Sequence, residues 1–274
     1  MTPETLLQQL EFAPVMEETV HQKLTKDNGI IQEIAKTAYA GDDFNLCKHT
    51  PATRLAVLTY LLLQQYDTYK SLGVSDDIIF DTFRDVSLRA NLYYKRTGEI
   101  GITRDDVIWF RHIMNAGIFK IGTLQFQPFE MVYLDEATLG EPYMEFSQEQ
   151  KDRLPNGSPV LNCHIQRGAD ICGKAVKESL EKADDFFRKL YPSVRYRAFI
   201  CYSWLLYPPM LKSLPSDSNI QQFSRYFHII GACSDSEQAF ENIFGHGNSA
   251  KTTLQTMALS SKEQFGFACG VRFI

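Results

Sequence analysis

The sequence lacks the marks of several common protein classes. Its six cysteines are scattered, with no Cys-x-x-C pair and no Cys/His cluster at zinc spacing. No apolar run is long enough to span a bilayer, and no basic segment followed by an apolar one marks a signal peptide. The formal net charge of −5 gives no electrostatic footprint for nucleic acid. These features predict a cytoplasmic protein without a metal site, a membrane partner or a nucleic-acid partner.

The composition is that of a folded protein. Hydrophobic residues make up 44% of the 274 residues, which is enough for a packed core. This length suits one large domain or two small ones. Cys163, Cys201 and Cys269 lie within apolar, strand-like runs. We therefore interpret the cysteines as small buried hydrophobic residues in a reducing compartment.

The N-terminal part of the chain, residues 1–118, carries helical patterns. Thr2 and Thr50 each precede a proline, while Ser75 and Thr103 stand just before pairs of aspartates. Both arrangements are typical of helix starts. The apolar residues that follow recur at helical spacing and indicate core-facing stripes without chemistry. We predict a helical N-terminal domain over residues 1–118.

Strand patterns dominate residues 119–274. Pro128 interrupts a β-branched and aromatic run, which predicts one or two strands. The further predicted strands cover residues 161–166, 197–206, 227–233 and 265–274, with helices over 173–190 and 219–226 and a helical insertion over 236–262. A strand–helix–strand connection of this length predicts parallel neighbours. The fold class is therefore α/β (α+β), with a helical N-terminal portion followed by a mixed sheet flanked by helices.

The segment most clearly shaped for a ligand spans residues 161–190. A strand here leads through the turn Arg167-Gly168-Ala169-Asp170 into a long amphipathic helix. Such a helix start offers free backbone N–H groups and the positive end of a dipole, which suit a phosphate or another anion. Arg167 is the best side-chain candidate for a phosphate contact. The alternative is that its charge is exposed on the turn and contacts only solvent.

The order of these elements resembles the GNAT acyltransferase fold, in which this strand, turn and helix hold the pyrophosphate of coenzyme A. The turn beginning at Gln166 matches the usual Q/R-x-x-G-x-G/A pattern in part. It departs from the pattern at Asp170, whose carboxylate would repel phosphate. Further phrases follow in order: Ile-Gly-Thr-Leu-Gln-Phe-Gln-Pro at 121–128, Cys-His-Ile at 163–165, Ser-Trp-Leu-Leu at 203–206, Leu-Pro at 214–215 and Ser-Asn-Ile at 218–220. Together they resemble a bacterial group of two-part acyltransferases with a GNAT-like C-terminal domain.

This resemblance implies an N-acyltransferase that moves an acetyl or other short acyl group from acyl-CoA to an amine. The transfer would be direct, in a ternary complex, to a small-molecule or peptide amine. The residues implied in coenzyme A binding are Ile165, Gln166, Arg167, Gly168, Ala169, Gly173 and Asn219. Two alternatives stay open: a non-catalytic GNAT-like ligand-binding or regulatory module, and a helical interaction protein whose α/β half is a scaffold. The N-terminal helices would form a wall of the acceptor pocket or the surface of a homodimer.

His164 is the candidate general base. It shares one strand face with Asn162 and Gln166. The ordinary pKa of an imidazole, about 6.5, suits a general base at neutral pH. Its alternative is a histidine hydrogen-bonded within the sheet. The resemblance also places a helix asparagine on the coenzyme A arm and a tyrosine seven residues later as the acid that protonates the thiolate. Tyr226 holds that second position, against the alternative of a half-buried sheet-edge aromatic.

Four further residues are candidates for substrate contact. Ser203 and Trp204 stand near the end of the central strand, where ligands collect in open α/β sheets. The alternatives are a buried hydroxyl bonded to backbone for Ser203 and a core or pocket-wall residue for Trp204. Glu130 and Tyr133 can face the acceptor as base or anchor, against the alternative of a solvated strand face.

Overall fold

The computed structural model describes residues 1–245 and 252–274 of the chain. It divides the chain into two units, Met1–Lys120 and Ile121–Ile274. The first unit is helical, and four of its helices begin where the sequence predicts. Thr2, Thr50 and Thr103 each accept a hydrogen bond from a backbone N–H in the first turn of a helix.

The N-terminal unit contains α1 (Pro3–Leu10), α2 (Pro14–Lys26), α3 (Asn28–Thr37), α4 (Pro51–Ser71), α5 (Asp76–Thr97) and α6 (Arg104–Met114). The sequence analysis did not predict α2 and α3, which begin without a side-chain cap. In its core Asp85 accepts hydrogen bonds from Arg89 and Trp109, so its buried carboxylate is paired. Among the described helices of the chain, none is long and apolar enough to cross a membrane.

The second unit adds strands and further helices: β1 (Phe119–Ile121), β2 (Leu124–Glu130), α7 (Glu136–Leu139), α8 (Gln148–Arg153), β3 (Pro159–His164), α9 (Gly173–Leu190), β4 (Ala198–Ser203), α10 (Pro208–Ser213), α11 (Asn219–Ser224), β5 (His228–Cys233), α12 (Glu237–Phe244), α13 (Thr253–Ser260) and β6 (Phe267–Phe273). The division between the units falls within β1. Part of the predicted helical insertion, residues 246–251, lies outside the described residues. The short helices α7, α8 and α10 were not predicted because four to six residues do not establish a helical period.

The strands form one mixed sheet in the order β1-β2-β3-β4-β6-β5. The connection through α9 makes β3 and β4 parallel, which confirms the prediction from the strand–helix–strand pattern. The pairs β2/β3, β4/β6 and β5/β6 are antiparallel. The α/β fold class with a helical N-terminal part is therefore confirmed.

Both faces of the sheet are packed. On one face a hydrophobic cluster joins residues of β3, β4 and β6 to the segment that follows β2, and its buried members are Met131, Tyr133, Met144, Leu154, Val160, Ala198, Ile200, Cys269 and Val271. On the other face Phe126 and Phe199 meet edge to face with ring centroids 5.5 Å apart. The helix α9 buries Val176, Leu180, Ala183 and Phe187, and each large apolar side chain contributes about 1.5–3 kcal/mol when fully buried.

The central strand is shorter than predicted. The sequence predicts a strand over residues 197–206, but β4 ends at Ser203 and the chain turns into a 3₁₀-helix over Trp204–Leu206. The cause is local, because the Ser203 hydroxyl accepts a hydrogen bond from the Leu205 N–H at 3.2 Å. The strand prediction is therefore wrong beyond Ser203.

Candidate active site

The ladder between β3 and β4 ends before either strand does. Their ladder ends with the pair Asn162↔Ile200, whereas β3 continues to His164 and β4 to Ser203. The outer edges of both strands stay paired, since His164 lies opposite Gln125 on β2 and Ser203 opposite Ala268 on β6. Past this last pair, the backbone N–H and C=O groups on the facing edges of β3 and β4 form no ladder hydrogen bonds between the two strands. This opening suits an extended ligand that can hydrogen-bond to a strand edge.

Two buried thiols, Cys163 and Cys201, follow the last β3–β4 pair. A hydrogen bond with Cys163, together with burial, raises the pKa of the Cys201 thiol well above its usual value. A thiol of this kind is a poor nucleophile. All six cysteines of the chain are free, in line with their interpretation as small hydrophobic residues.

Four polar side chains share the face of β2 and β3 beside the opening. Gln125 lies opposite His164, and Gln127 lies opposite Asn162, and residues directly opposite in an antiparallel pair point to the same side. The Nε2 atom of His164 is 3.1 Å from the Gln127 Oε1 atom. This contact fixes the orientation of the imidazole ring on the face of β3.

Gln127 was not predicted as a site residue. The signal for it is the polar alternation at positions 125 and 127 within an otherwise apolar strand. The sequence alone does not say which residue of β3 lies opposite, and the register supplies that information.

The turn after β3 runs from Gln166 to Ala169. Ile165 is half-buried, and the Ala169 N–H donates to the Gln166 carbonyl at 3.1 Å. Gly168 has a φ of +80° at the third position of this turn, where type II turns require glycine. A Cβ atom at Gly168 would have no neighbour within 4 Å, so the backbone there faces open space. Arg167 beside it is exposed.

The start of α9 is partly satisfied by the protein's own side chains. The Cys172 N–H donates to Asp170 Oδ1 at 2.9 Å, and the Gly173 N–H donates to Gln222 Oε1 at 2.9 Å. The first of these bonds lowers the pKa of the Asp170 carboxyl. An anion at this helix start therefore meets N–H groups that already have acceptors.

Gln222 and Tyr226 come from the segment around α11 and reach the same helix start. The Tyr226 hydroxyl donates to the Gly173 carbonyl at 2.8 Å, and Gln222 Nε2 donates to the Asp217 carbonyl at 2.8 Å. An open cleft of about 490 Å³ is lined by Gly173, Ser216, Asp217, Gln222, Arg225 and Tyr226. Asn219 is exposed at the first position of α11. The structure thus brings together Gly173 and Tyr226, and it adds Gln222, which was not predicted as a site residue.

Gln166 is buried two residues past the end of β3. The residue is 6% exposed, and no described residue donates a hydrogen bond to its Oε1 atom. An unsatisfied buried acceptor of this kind costs about 1–3 kcal/mol. Native proteins satisfy nearly all such atoms, so this one needs an explanation.

Ser203 and Trp204 are buried at the end of β4. The Ser203 hydroxyl is held by the Leu205 N–H, and the Trp204 N–H donates to Gln238 Oε1 at 3.1 Å. These bonds are structural, and a substrate contact for either residue stays a prediction.

Glu130 and Tyr133 lie toward the other end of the sheet. Glu130 is exposed and opposite Pro159, the first residue of β3, which places it about 16 Å along the strand from His164. The Tyr133 hydroxyl donates to the carbonyls of Gln150 and Leu154, and burial raises its pKa to about 12. The structure does not bring these two residues to the opening, and their contact with an acceptor stays a prediction.

Two known protein families match the chain, one over each of its two parts. The family described as "GNAT-like C-terminal domain" matches residues 118–263, and the "N-acyltransferase N-terminal domain" matches residues 2–116. No curated protein sequence gives a match.

Solved structures give the same fold. An acyltransferase in complex with decanoyl-CoA and teicoplanin has a TM-score of 0.71 and 16% identity, covering 98% of this chain and 87% of its own. An acyltransferase in complex with CoA and 10C-teicoplanin gives the same values. A third, in complex with decanoyl-CoA alone, has a TM-score of 0.71 and 17% identity, covering 98% of this chain and 86% of its own. At such identities the likeness shows the fold.

Proposed function

This chain belongs to the two-part N-acyltransferase family with a GNAT-like C-terminal domain, and from this premise we propose that it transfers an acyl group from acyl-CoA to an amine. The acceptor is a small molecule or a peptide. The end of the β3–β4 ladder at Asn162 and Ile200, before either strand ends, is the observation that carries this proposal. A pantetheine arm is an extended chain with amide groups, and such a chain can pair with an open strand edge as a β-strand does.

The turn at the mouth of the opening supports the same ligand. Gly168 leaves room for close approach of an anion to the backbone, and Arg167 supplies an exposed cation beside it. In this proposal the pyrophosphate of coenzyme A lies against this turn, and the arm runs from there between β3 and β4.

The chemistry is a direct transfer. The amine nitrogen attacks the thioester carbon while His164 takes its proton, and the C–S bond then breaks to release coenzyme A thiolate. Backbone N–H groups near residues 163–165 stabilise the oxyanion that forms in between. Tyr226 protonates the thiolate, which requires its hydroxyl to turn away from the Gly173 carbonyl. Nothing in this scheme needs a covalent enzyme intermediate.

The length of the acyl chain and the identity of the acceptor can be measured directly. The relatives of known structure were solved with decanoyl-CoA, octanoyl-CoA or CoA, and two of them with teicoplanin or its 10C derivative. A short acyl group such as acetyl is the expectation from the sequence. A series from acetyl-CoA to decanoyl-CoA therefore spans the alternatives.

The test is calorimetry with this series, followed by a thiol-release assay against a panel of small-molecule and peptide amines. We expect binding of at least one acyl-CoA and thiol release that depends on an amine. Absence of binding for every acyl-CoA would reject the proposal.

A second function has one observation in its favour. Because Asp170 and Gln222 already accept the first N–H groups of α9, the protein can be a GNAT-like module that binds a ligand without turnover. Binding of acyl-CoA without thiol release across the whole panel would support this second function.

A further inference from the structure

The Tyr226 side chain, which is the acid of the proposed transfer, lies under an arginine from the last strand. The guanidinium carbon of Arg272 is 5.5 Å from the centroid of the Tyr226 ring. We propose that Arg272 is a positioning residue: it holds this ring in place, and its positive charge stabilises the phenolate that remains once Tyr226 has given up its proton. The inference rests on the proposed function and adds to it a residue that acts through Tyr226.

The strand β6 brings Arg272 to the face of the sheet on which this tyrosine lies. Arg272 lies opposite Phe199 of β4, and residues directly opposite in an antiparallel pair point to the same side. Its neighbour Val271 belongs to the hydrophobic cluster on the other face. The side chain of Arg272 therefore points away from that cluster and meets the segment that follows α11.

A glycine on the same strand lets that segment come close to the sheet. Gly270 stands two residues before Arg272 and so shares its face. A Cβ atom at Gly270 would lie only 2.8 Å from the Cβ atom of Phe227, which is closer than carbon atoms pack. Phe227 is buried and directly follows Tyr226 in the chain. The backbone beside Tyr226 is therefore seated on β6, which keeps the ring within reach of Arg272.

Arg272 is half-buried, and none of the ion pairs between described residues includes it. Buried and half-buried cations usually have a carboxylate partner, which would offset their effect on other groups. A guanidinium over a ring face attracts the electrons of that ring, and it attracts a phenolate more strongly because the charges are then opposite. The Arg272 charge is thus available to the tyrosine.

Two other charged residues, Asp217 and Arg225, line the cleft beside Tyr226. Both are exposed, so water screens their charges. The Arg225 guanidinium also donates to the Ser216 carbonyl at 2.6 Å. Arg272 is less exposed than either and lies over the ring itself, so we expect its charge to have the largest effect on Tyr226.

The proton transfer explains why a cation is useful here. In the proposed reaction His164 takes the proton of the attacking amine, and Tyr226 gives its hydroxyl proton to the sulfur of the departing coenzyme A. This leaves a neutral thiol and a phenolate, which then takes a proton from solvent. The negative charge on the ring develops only as the proton leaves. Arg272 therefore stabilises the transition state more than the ground state.

A double-mutant cycle between Arg272 and Tyr226 tests the inference. Arg272→Met keeps an unbranched stem without the charge, Arg272→Lys keeps a charge, and Tyr226→Phe removes the hydroxyl. The matched control is Arg153→Met, because the Arg153 guanidinium also lies over an aromatic ring, at 4.2 Å, but that ring is Phe273 and takes no part in the proposed transfer. Thiol-release kinetics give kcat and KM, and the melting temperature shows whether each variant is folded.

We expect Arg272→Met to lower kcat by about tenfold and to leave KM for acyl-CoA unchanged. Arg272→Lys should recover kcat to within about threefold of the natural protein, since the charge is kept. In the Tyr226→Phe protein, Arg272→Met should cause no further loss, because the phenolate that Arg272 stabilises no longer forms. Arg153→Met should leave kcat unchanged.

Several results would overturn the inference while leaving the proposed function intact. One is full kcat in Arg272→Met, and another is a loss that multiplies with the loss in Tyr226→Phe, because Arg272 would then act independently of the tyrosine. A raised KM at unchanged kcat, or equal kcat in the lysine and methionine variants, also overturns it. Arg272→Gln replaces Arg272→Met should that variant fail to fold. If the natural protein releases no thiol with any acyl-CoA and amine, the proposed function fails and the inference falls with it.

Discussion

The two ends of the paired strands β3 and β4 differ in how completely their polar groups are satisfied. At the closed end, around Pro159 and Ala198, the ladder is intact and the Tyr133 hydroxyl donates to backbone carbonyls. At the open end, past Asn162 and Ile200, the ladder stops and Gln166 keeps an unpaired side-chain oxygen. The same strands thus pair fully at one end and stop pairing before they end at the other. The second end is where we propose that the ligand binds.

The largest expected effect that tests this contrast is on turnover. His164→Gln keeps a side chain that can bond to Gln127 but cannot take the proton of the amine, so kcat should fall by about 10²–10⁴-fold. The matched variant is His228→Gln at the closed end, where His228 is exposed and lines a cavity of about 140 Å³. It should leave kcat unchanged. Equal kcat in both variants would remove His164 from the chemistry.

A pair of tyrosine variants compares the two ends by deleting one hydroxyl at each. Tyr226→Phe removes the proposed acid and should lower kcat by about a hundredfold. Tyr133→Phe removes the hydroxyl that donates to the Leu154 carbonyl and should lower the free energy of unfolding by about 1–2 kcal/mol without changing kcat. Thiol-release kinetics and chemical denaturation measure the two effects. Full turnover in Tyr226→Phe would show that the acid assignment is wrong.

A pair of glycine variants tests whether coenzyme A binds at the turn after β3, because the two glycines have the same backbone conformation. Gly168 and Gly157 have φ values of +80° and +78°, and a Cβ atom at either would meet nothing within 4 Å. Replacement by valine should strain both backbones alike, by about 1–2 kcal/mol. Only Gly168→Val should raise the calorimetric Kd for coenzyme A, by about tenfold. A similar Kd in the two variants would place the pyrophosphate away from the turn.

The smallest expected effect is a gain in affinity. Gln222→Ala removes the side chain that accepts the Gly173 N–H, which leaves that donor for a phosphate oxygen. We expect Kd for coenzyme A to fall by about three- to tenfold, while Kd for pantetheine stays the same. Gln148→Ala, on an exposed position of α8 near the closed end, is the control. A weaker affinity in Gln222→Ala would mean that Gln222 supports the site and does not compete with the ligand.

Much of the fold could be predicted because its signals are local. Helix starts follow from side chains such as Thr50 and Thr103, which cap the chain within a few residues of their own position. The glycine that the turn needs at position 168 is also visible in the sequence. The prediction failed where one local bond overrode a pattern, as when the Ser203 hydroxyl ended an apolar run that reads as a longer strand.

The candidate site could be predicted only in outline. The strand, turn and helix around Gly168 were located correctly as elements, but their partners come from distant segments. Gln222 meets Gly173 across 49 residues of sequence, and Gln127 meets His164 across 37. No spacing rule connects residues so far apart.

The sequence by itself determined the order of elements, the parallel pairing of β3 with β4 and the turn that leads into α9. Those features depend on short-range backbone preferences and on the handed connection between successive strands. The tertiary structure alone decided where the β3–β4 ladder stops, which polar side chains face the opening, and that Gln166 is left without a described donor. These depend on register and packing between segments far apart in the chain, which local propensities do not encode.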